Sequence, residues 1–252
     1  MDAIVLSRLL SSRKPNEVAA ARAAFAQAGP PAADIVANVL EHARKKRVRR
    51  ARLIAPLVNG GGLLTVLSAL GVSLVLRTDM TDAFFHSGWG ELVSRPSMAE
   101  LEAAGLLARW GDVRAADTLI AALDDPKTER AEAARRALTE LLNGLDERTA
   151  ASELSTEHGA RLRRLLTEET EQSRPAHPEL ALALLNLIER ICAARLNAAC
   201  RATHFYRTFV TAALLQDVER LSARATDLRV RAACVDCLPG LRAAVLERIK
   251  TP

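Results

Sequence analysis

The stretch from Ser97 to Leu142 constrains the fold more tightly than any other part of the chain. Apolar residues recur there on a helical period, and turn signals interrupt them twice. Leu101, Ala104, Leu107 and Ala108 share one face of a first helix, Met98 to Trp110. Gly111 follows, where a left-handed residue closes a helix at least steric cost. Asp112 can cap the next helix by accepting from its free N–H groups. That second helix carries Ala116, Leu119, Ile120 and Leu123 on one face, and Asp124-Asp125-Pro126 stops it. A third helix resumes at Thr128 or Glu129 with the stripe Ala134, Leu138, Leu141 and Leu142.

This helix–turn–helix unit resembles a HEAT-like repeat. Ala103-Ala104, Gly111-Asp112, Leu119-Ile120, Leu123 and Asp125-Pro126 carry the resemblance, and Ala133-Ala134 repeat the first pair 30 residues on. The resemblance implies an all-α fold, a right-handed superhelical solenoid of stacked helix pairs. Glu17–Ala28 and Asp34–His42 take the same form, with Asn16 as an N-cap. A helix from Val48 through Val58, the turn Asn59-Gly60-Gly61-Gly62 and a helix Leu63–Leu76 repeat it. Phe84, Phe85 and Trp89 fit core filler between units. Further helices are expected at Glu147–Leu166, Glu179–Leu196, Thr203–Leu221 and Asp227–Leu238, with Pro239–Ile249 closing the array. Four segments follow: N-terminal pairs 1–96, central repeats 97–166, a polar linker 167–178 and C-terminal repeats 179–252. Spacing in the last segment is nearer 50 residues.

Composition agrees. Aromatics are 3% of residues while apolar types reach 49%, so close packing through Ala and Leu must replace bulky core side chains. The net charge of +5 is not spread evenly: residues 1–100 hold 13 Lys and Arg against 8 Asp and Glu, and the remainder holds 22 of each. The excess centres on Arg44, Lys45, Lys46, Arg47, Arg49, Arg50 and Arg52, where contact with anions or nucleic acid would concentrate. No aromatic interleaves with that run, as stacking on bases requires. Residues 53–76 lack charge and are long enough to span a bilayer, but Pro56 and the Gly triplet favour a buried repeat.

The four cysteines, Cys192, Cys200, Cys234 and Cys237, invite a zinc reading. The Cys234/Cys237 pair, however, lies on one face of a helix, where thiols pack as small hydrophobes. No phosphate-binding loop, dinucleotide fingerprint, zinc-protease or nucleophile-elbow motif is present. Some HEAT-like proteins are alkylpurine DNA glycosylases. Such enzymes need a placed carboxylate and aromatics around an extruded base, and no motif ties Trp89 or Trp110 to an Asp.

The expectation is a non-enzymatic cytoplasmic scaffold without cofactor or metal that mediates protein–protein interaction. Arg114, Asp117, Arg130, Arg135, Arg136 and Arg161 are its expected partner surface. A nucleic-acid-binding protein using residues 44–52, or a membrane-anchored one with a span near 53–76, are the alternatives. Oligomeric state is left open.

Overall fold

A computed structural model describes residues 9–59, 95–171, 177–193 and 196–250, apart from positions 11, 13 and 126. Among these residues the protein is all-α: twelve α-helices, two 3-10 turns and no strand. The helices are α1 (Pro15–Ala28), α2 (Ala33–Asn59), α3 (Met98–Arg109), α4 (Ala116–Ala122), α5 (Thr128–Gly144) and α6 (Glu147–Glu153). They continue with α7 (Thr156–Glu171), α8 (Pro178–Ala193), α9 (Ala198–Ala202), α10 (His204–Phe209), α11 (Ala212–Arg224) and α12 (Leu228–Lys250).

The helices pack as two rows. In one, α2 lies against α3, α3 against α5, α5 against α8, and α8 against α12. In the other, α4 lies against α7 and α7 against α11, and each of these also touches the first row. The short helices α6, α9 and α10 pack on one another, with α6 also on α8 and α10 on α7. From α3 onward the first-row helices begin at Met98, Thr128, Pro178 and Leu228, spacings of 30, 50 and 50 residues.

Local chemistry sets the helix ends. Ser97 Oγ accepts from the Glu100 N–H at 3.3 Å, and Glu100 Oε2 accepts from the Ser97 N–H at 2.5 Å, a complete capping box that starts α3. Ala103, Ala104, Leu107 and Ala108 are fully buried, so the small side chains let α3 approach α2, α4 and α5 at once. Leu119, Leu138, Leu141 and Leu142 are buried likewise, as their spacing implies. Gly111 has φ +68° and ends the turn after α3. A Cβ there would lie 2.8 Å from the Gly144 carbonyl oxygen, so the C-end of α3 rests directly on that of α5.

Several expected boundaries move. Asp34–His42 and the helix from Val48 are one helix, α2, because the intervening Ala43-Arg44-Lys45-Lys46-Arg47 holds neither Gly nor Pro and is built of strong helix formers. The expected Glu147–Leu166 helix divides at Leu154-Ser155. There Ser155 Oγ accepts from the His158 N–H at 3.2 Å and His158 Nδ1 accepts from the Ser155 N–H at 3.1 Å, a capping box with histidine in the usual Glu position. Thr211 divides Thr203–Leu221 by capping α11 through the Leu214 N–H. In contrast α12 runs unbroken through Pro239, whose missing N–H leaves unpaired the carbonyl of Val235, a residue 56% exposed and within reach of water. α7 continues to Glu171, into the segment read as a linker. The Gly triplet, the Leu63–Leu76 helix, Trp89 and most of the 53–76 stretch lie outside the described residues. No described helix is long and apolar enough to cross a membrane.

Two glycines separate conformational need from packing need. Gly111→Ala combines a left-handed φ with a backbone clash and should lower stability by about 1–3 kcal/mol. Gly105 lies mid-helix in α3, and nothing is within 4 Å of an added Cβ. Gly105→Ala should therefore raise stability by about 0.5–1 kcal/mol. Urea unfolding of both variants checks the pair; equal signs would contradict the packing described.

Candidate functional site

The basic run lies on α2, which is antiparallel to α3: Asp34 sits near the α3–α4 turn and Arg47 near the start of α3. Arg47 Nε donates to Glu100 Oε1 at 3.0 Å, and the Glu100 side chain has no exposed surface. Arg44 donates to Asp117 Oδ2 at 2.8 Å, and Lys45 pairs with Glu41 one turn back at 2.7 Å. Lys46 and Arg49 are exposed. Arg50 and Arg52 lie on the α2 backbone, and their side chains fall outside the described residues. The row of cations seen in the sequence is thus divided between the packed side of α2 and its solvent side.

Asp117, in the first turn of α4, is a junction of three helices. Its Oδ2 accepts from Arg44 of α2, and its Oδ1 lies 2.5 Å from Nε2 of His158 on α7. The histidine's Nδ1 already accepts a backbone N–H, so Nε2 carries the ring proton and donates it to Asp117. An Asp–His pair invites a general-base reading. Here both ring nitrogens are engaged while the α7 cap holds, so none is free to take a proton from a substrate. The pair is a clamp between α4 and α7. The sequence offered no signal for it, since the partners are 41 residues apart.

The expected partner surface divides in the same way. Arg114 holds Asp112 at 2.5 Å and Asp34 at 3.0 Å, tying α2 to the α3–α4 turn. Arg161 of α7 reaches Asp124 after α4 at 2.7 Å. Asp117 clamps α4 to α7. Arg130 pairs with the buried Asp125 at 3.5 Å, and Arg135 is half-buried on α5. Arg135 also helps burial to hold the His177 pKa below its ordinary value. Only Arg130 and Arg136 open onto a common cavity, a groove of about 580 Å³ between α3 and α5.

The two helices run parallel, C-end beside C-end, so their outward faces form parallel walls. Leu101, Gly105 and Leu106 of α3 and Ala133 and Ala137 of α5 line the floor. The rim is ionic. Arg22 of α1 pairs with Glu102, and Arg109 bridges to Glu140 at 3.3 Å across the C-terminal end. Met98, 44% exposed, marks the other end. Arg136 makes no hydrogen bond or ion pair with any described residue and projects from the rim. Five cations and three carboxylates line the groove, which gives it a positive excess. In sequence Leu101 reads as part of the core stripe and Arg130 and Arg136 as partner surface, with nothing to join them. Gly105, an unforced glycine inside a helix, was the further signal that could have marked the groove.

Cys234 and Cys237 are fully buried on the inner face of α12, and Cys192 and Cys200 are half-buried. Burial pushes the thiols of Cys192, Cys234 and Cys237 up to about 12, which keeps them protonated at neutral pH. Among the described residues no three His, Cys, Asp or Glu side chains converge as metal ligands. Trp110 forms the C-cap of α3 and packs against the core.

Comparisons with protein-family models, with curated proteins and with solved structures returned no match.

The hydrogen bond from His158, with Arg44 beside it, holds the Asp117 carboxyl at about 2 against an ordinary 3.8. A depressed carboxylate contributes stability that is present above its unfolded value and lost as pH falls through its folded one. Acid unfolding should therefore draw on this junction between about pH 4 and pH 2. Asp117→Asn should flatten the stability profile in that window, measured by urea unfolding at stepped pH. An unchanged profile would show that the clamp does not hold α4 to α7.

Proposed function

We propose that the protein is a non-enzymatic, HEAT-like helical-repeat scaffold whose α3/α5 groove receives an amphipathic segment of a protein partner. The two-row packing and the recurrence of first-row helices support a superhelical stack of helix pairs, and such stacks present side chains that have no core duty. The carrying observation is Gly105. A glycine inside a helix costs about 1 kcal/mol relative to alanine, and no internal neighbour requires it, since an added Cβ meets nothing within 4 Å. Space for an outside chain gives that residue a purpose. An apolar side chain would seat on Gly105, Ala133 and Ala137, and an acidic neighbour would face Arg136.

Nucleic-acid binding through residues 44–52 is the weaker reading. Arg44 and Arg47 are held by carboxylates of neighbouring helices, while Lys45, paired only with Glu41 of its own helix, is turned to solvent with Lys46 and Arg49. Arg44 and Arg47 could reach phosphates only by breaking those pairs, and no aromatic interleaves with the run to stack on bases.

Affinity capture with three forms of the full chain separates the readings. Gly105→Gln should fill the groove and lose the captured protein partner, whereas Gly105→Ala should keep it. Lys46→Glu/Arg49→Glu should keep it too, including at about 0.5 M salt, where surface charge attraction is screened. Loss in the α2 double variant alone, with nucleic acid co-purifying from wild type, would overturn the groove in favour of the basic run.

A further inference from the structure

A second cavity, far along the chain from the groove, has the features of a small-molecule site. It lies between the α9–α10 corner and the C-terminal half of α12 and encloses about 360 Å³. Ligand pockets run from about 300 to 1,000 Å³, so this one suits a compact molecule. One wall is apolar: Leu196, Ala198 and Ala202 on one side face Ala244 of α12. The opposing groups are Tyr206, Arg201, Arg207, Glu247 and Arg248.

The walls are fixed before any ligand arrives. Asn197 caps α9 by accepting from the Cys200 N–H at 2.8 Å. Thr203 caps α10, and its hydroxyl also donates to the Ala151 carbonyl at 2.6 Å, pinning the corner to α6. The Arg248 guanidinium donates to the Val210 carbonyl at 2.6 Å, which ties α12 to the end of α10.

The cleft's polar groups are not satisfied internally. Tyr206 is only 6% exposed, yet its hydroxyl bonds to no described residue. The hydroxyl itself is not buried: the ring is packed and its polar end is open to solvent, in a residue that lines the cleft. Arg201, Glu247 and Arg248 line the same cleft as Tyr206. Of the three guanidiniums, Arg201 is neutralised by Glu247. Arg248 is held by a carbonyl and has no carboxylate, and Arg207 has no partner among the described residues. The cleft therefore holds two uncompensated positive charges and one idle hydroxyl donor beside an apolar wall.

We propose that this cleft binds a small amphipathic organic carboxylate. Arg207 and Arg248 pair with its oxygens and Tyr206 Oη–H donates to them, while its apolar body lies on Leu196, Ala202 and Ala244. A planar guanidinium matches a carboxylate, and hydrogen bonds to charged groups are the stronger kind. The apolar wall favours an organic acid over a bare inorganic anion. This site is independent of the α3/α5 groove, and either assignment can fail without the other.

The probes are phenylacetate, its neutral analogue phenylacetamide, and inorganic phosphate, each titrated into the full chain and followed by amide NMR shifts. Phenylacetate should saturate shifts in α9, α10 and the end of α12, and bind at least about tenfold more tightly than the amide, since a charge-assisted bond is lost with the charge. Arg207→Gln should weaken phenylacetate about tenfold, and Tyr206→Phe by several-fold. Both variants should keep the wild-type thermal melting curve, because the groups removed have no internal partner. Phosphate binding as tightly as phenylacetate would overturn the amphipathic assignment. Absence of saturable shifts in wild type, or unchanged affinity in both variants, would overturn the site.

Discussion

A carboxylate with no exposed surface stands at the start of α3, and the placement of α2 depends on it. Glu100 closes the capping box of its own helix with one oxygen and accepts Arg47 with the other. A buried charge is tolerable only when paired, so α3 can pack into the row only while α2 lies across its N-terminus with Arg47 in place. Asp117, one helix on, is exposed rather than buried, and it links α2 and α7 by holding Arg44 and His158 together. Through these two acids the most basic segment of the chain becomes part of the packing. A row of cations in sequence therefore overstates the free charge of a helix wherever carboxylates of neighbouring helices hold some of those cations.

Where the chain could be read in advance, the cause was periodicity. Ala104, Leu107, Leu119, Leu138, Leu141 and Leu142 are buried because a 3.6-residue repeat places them on one side, and that repeat is visible without coordinates. Gly111 was legible for a similar reason, since few residues suit a left-handed helix end. The missed boundaries have local causes of another kind. Ser155 and Thr211 end one helix and begin another through side-chain caps, and the first uses His158 where the familiar pattern has Glu or Gln. The fused α2 was divided because the apolar stripe lapses between His42 and Val48, although Arg and Lys favour helices. The site was less legible still. Asp117–His158, Arg163–Asp217 and Arg22–Glu102 join residues 41, 54 and 80 positions apart, and no spacing rule reaches that far.

Repeat spacing also sorts the two cavities. Where first-row helices recur after 30 residues, α3 and α5 stand side by side and leave a straight groove with a small-residue floor. Where they recur after 50, the extra chain forms α9 and α10, which fold back towards α12 and build a cleft with a polar and an apolar wall. One architecture thus offers an extended surface near its start and a compact pocket near its end. The first is suited to a chain segment, the second to a small molecule.

Arg44 and Arg47 of α2 belong to the fold before they belong to any partner. Equilibrium urea unfolding of Arg47→Ala beside its neighbour Lys46→Ala tests this most directly, because the two removals are alike in charge and differ only in what the side chain meets. Arg47→Ala strands Glu100 in the core and should cost about 3 kcal/mol or more. Lys46→Ala touches a solvated position and should change stability by no more than about 0.5 kcal/mol. Equal effects for the two variants would contradict the claim and return the basic run to the surface as a binding element.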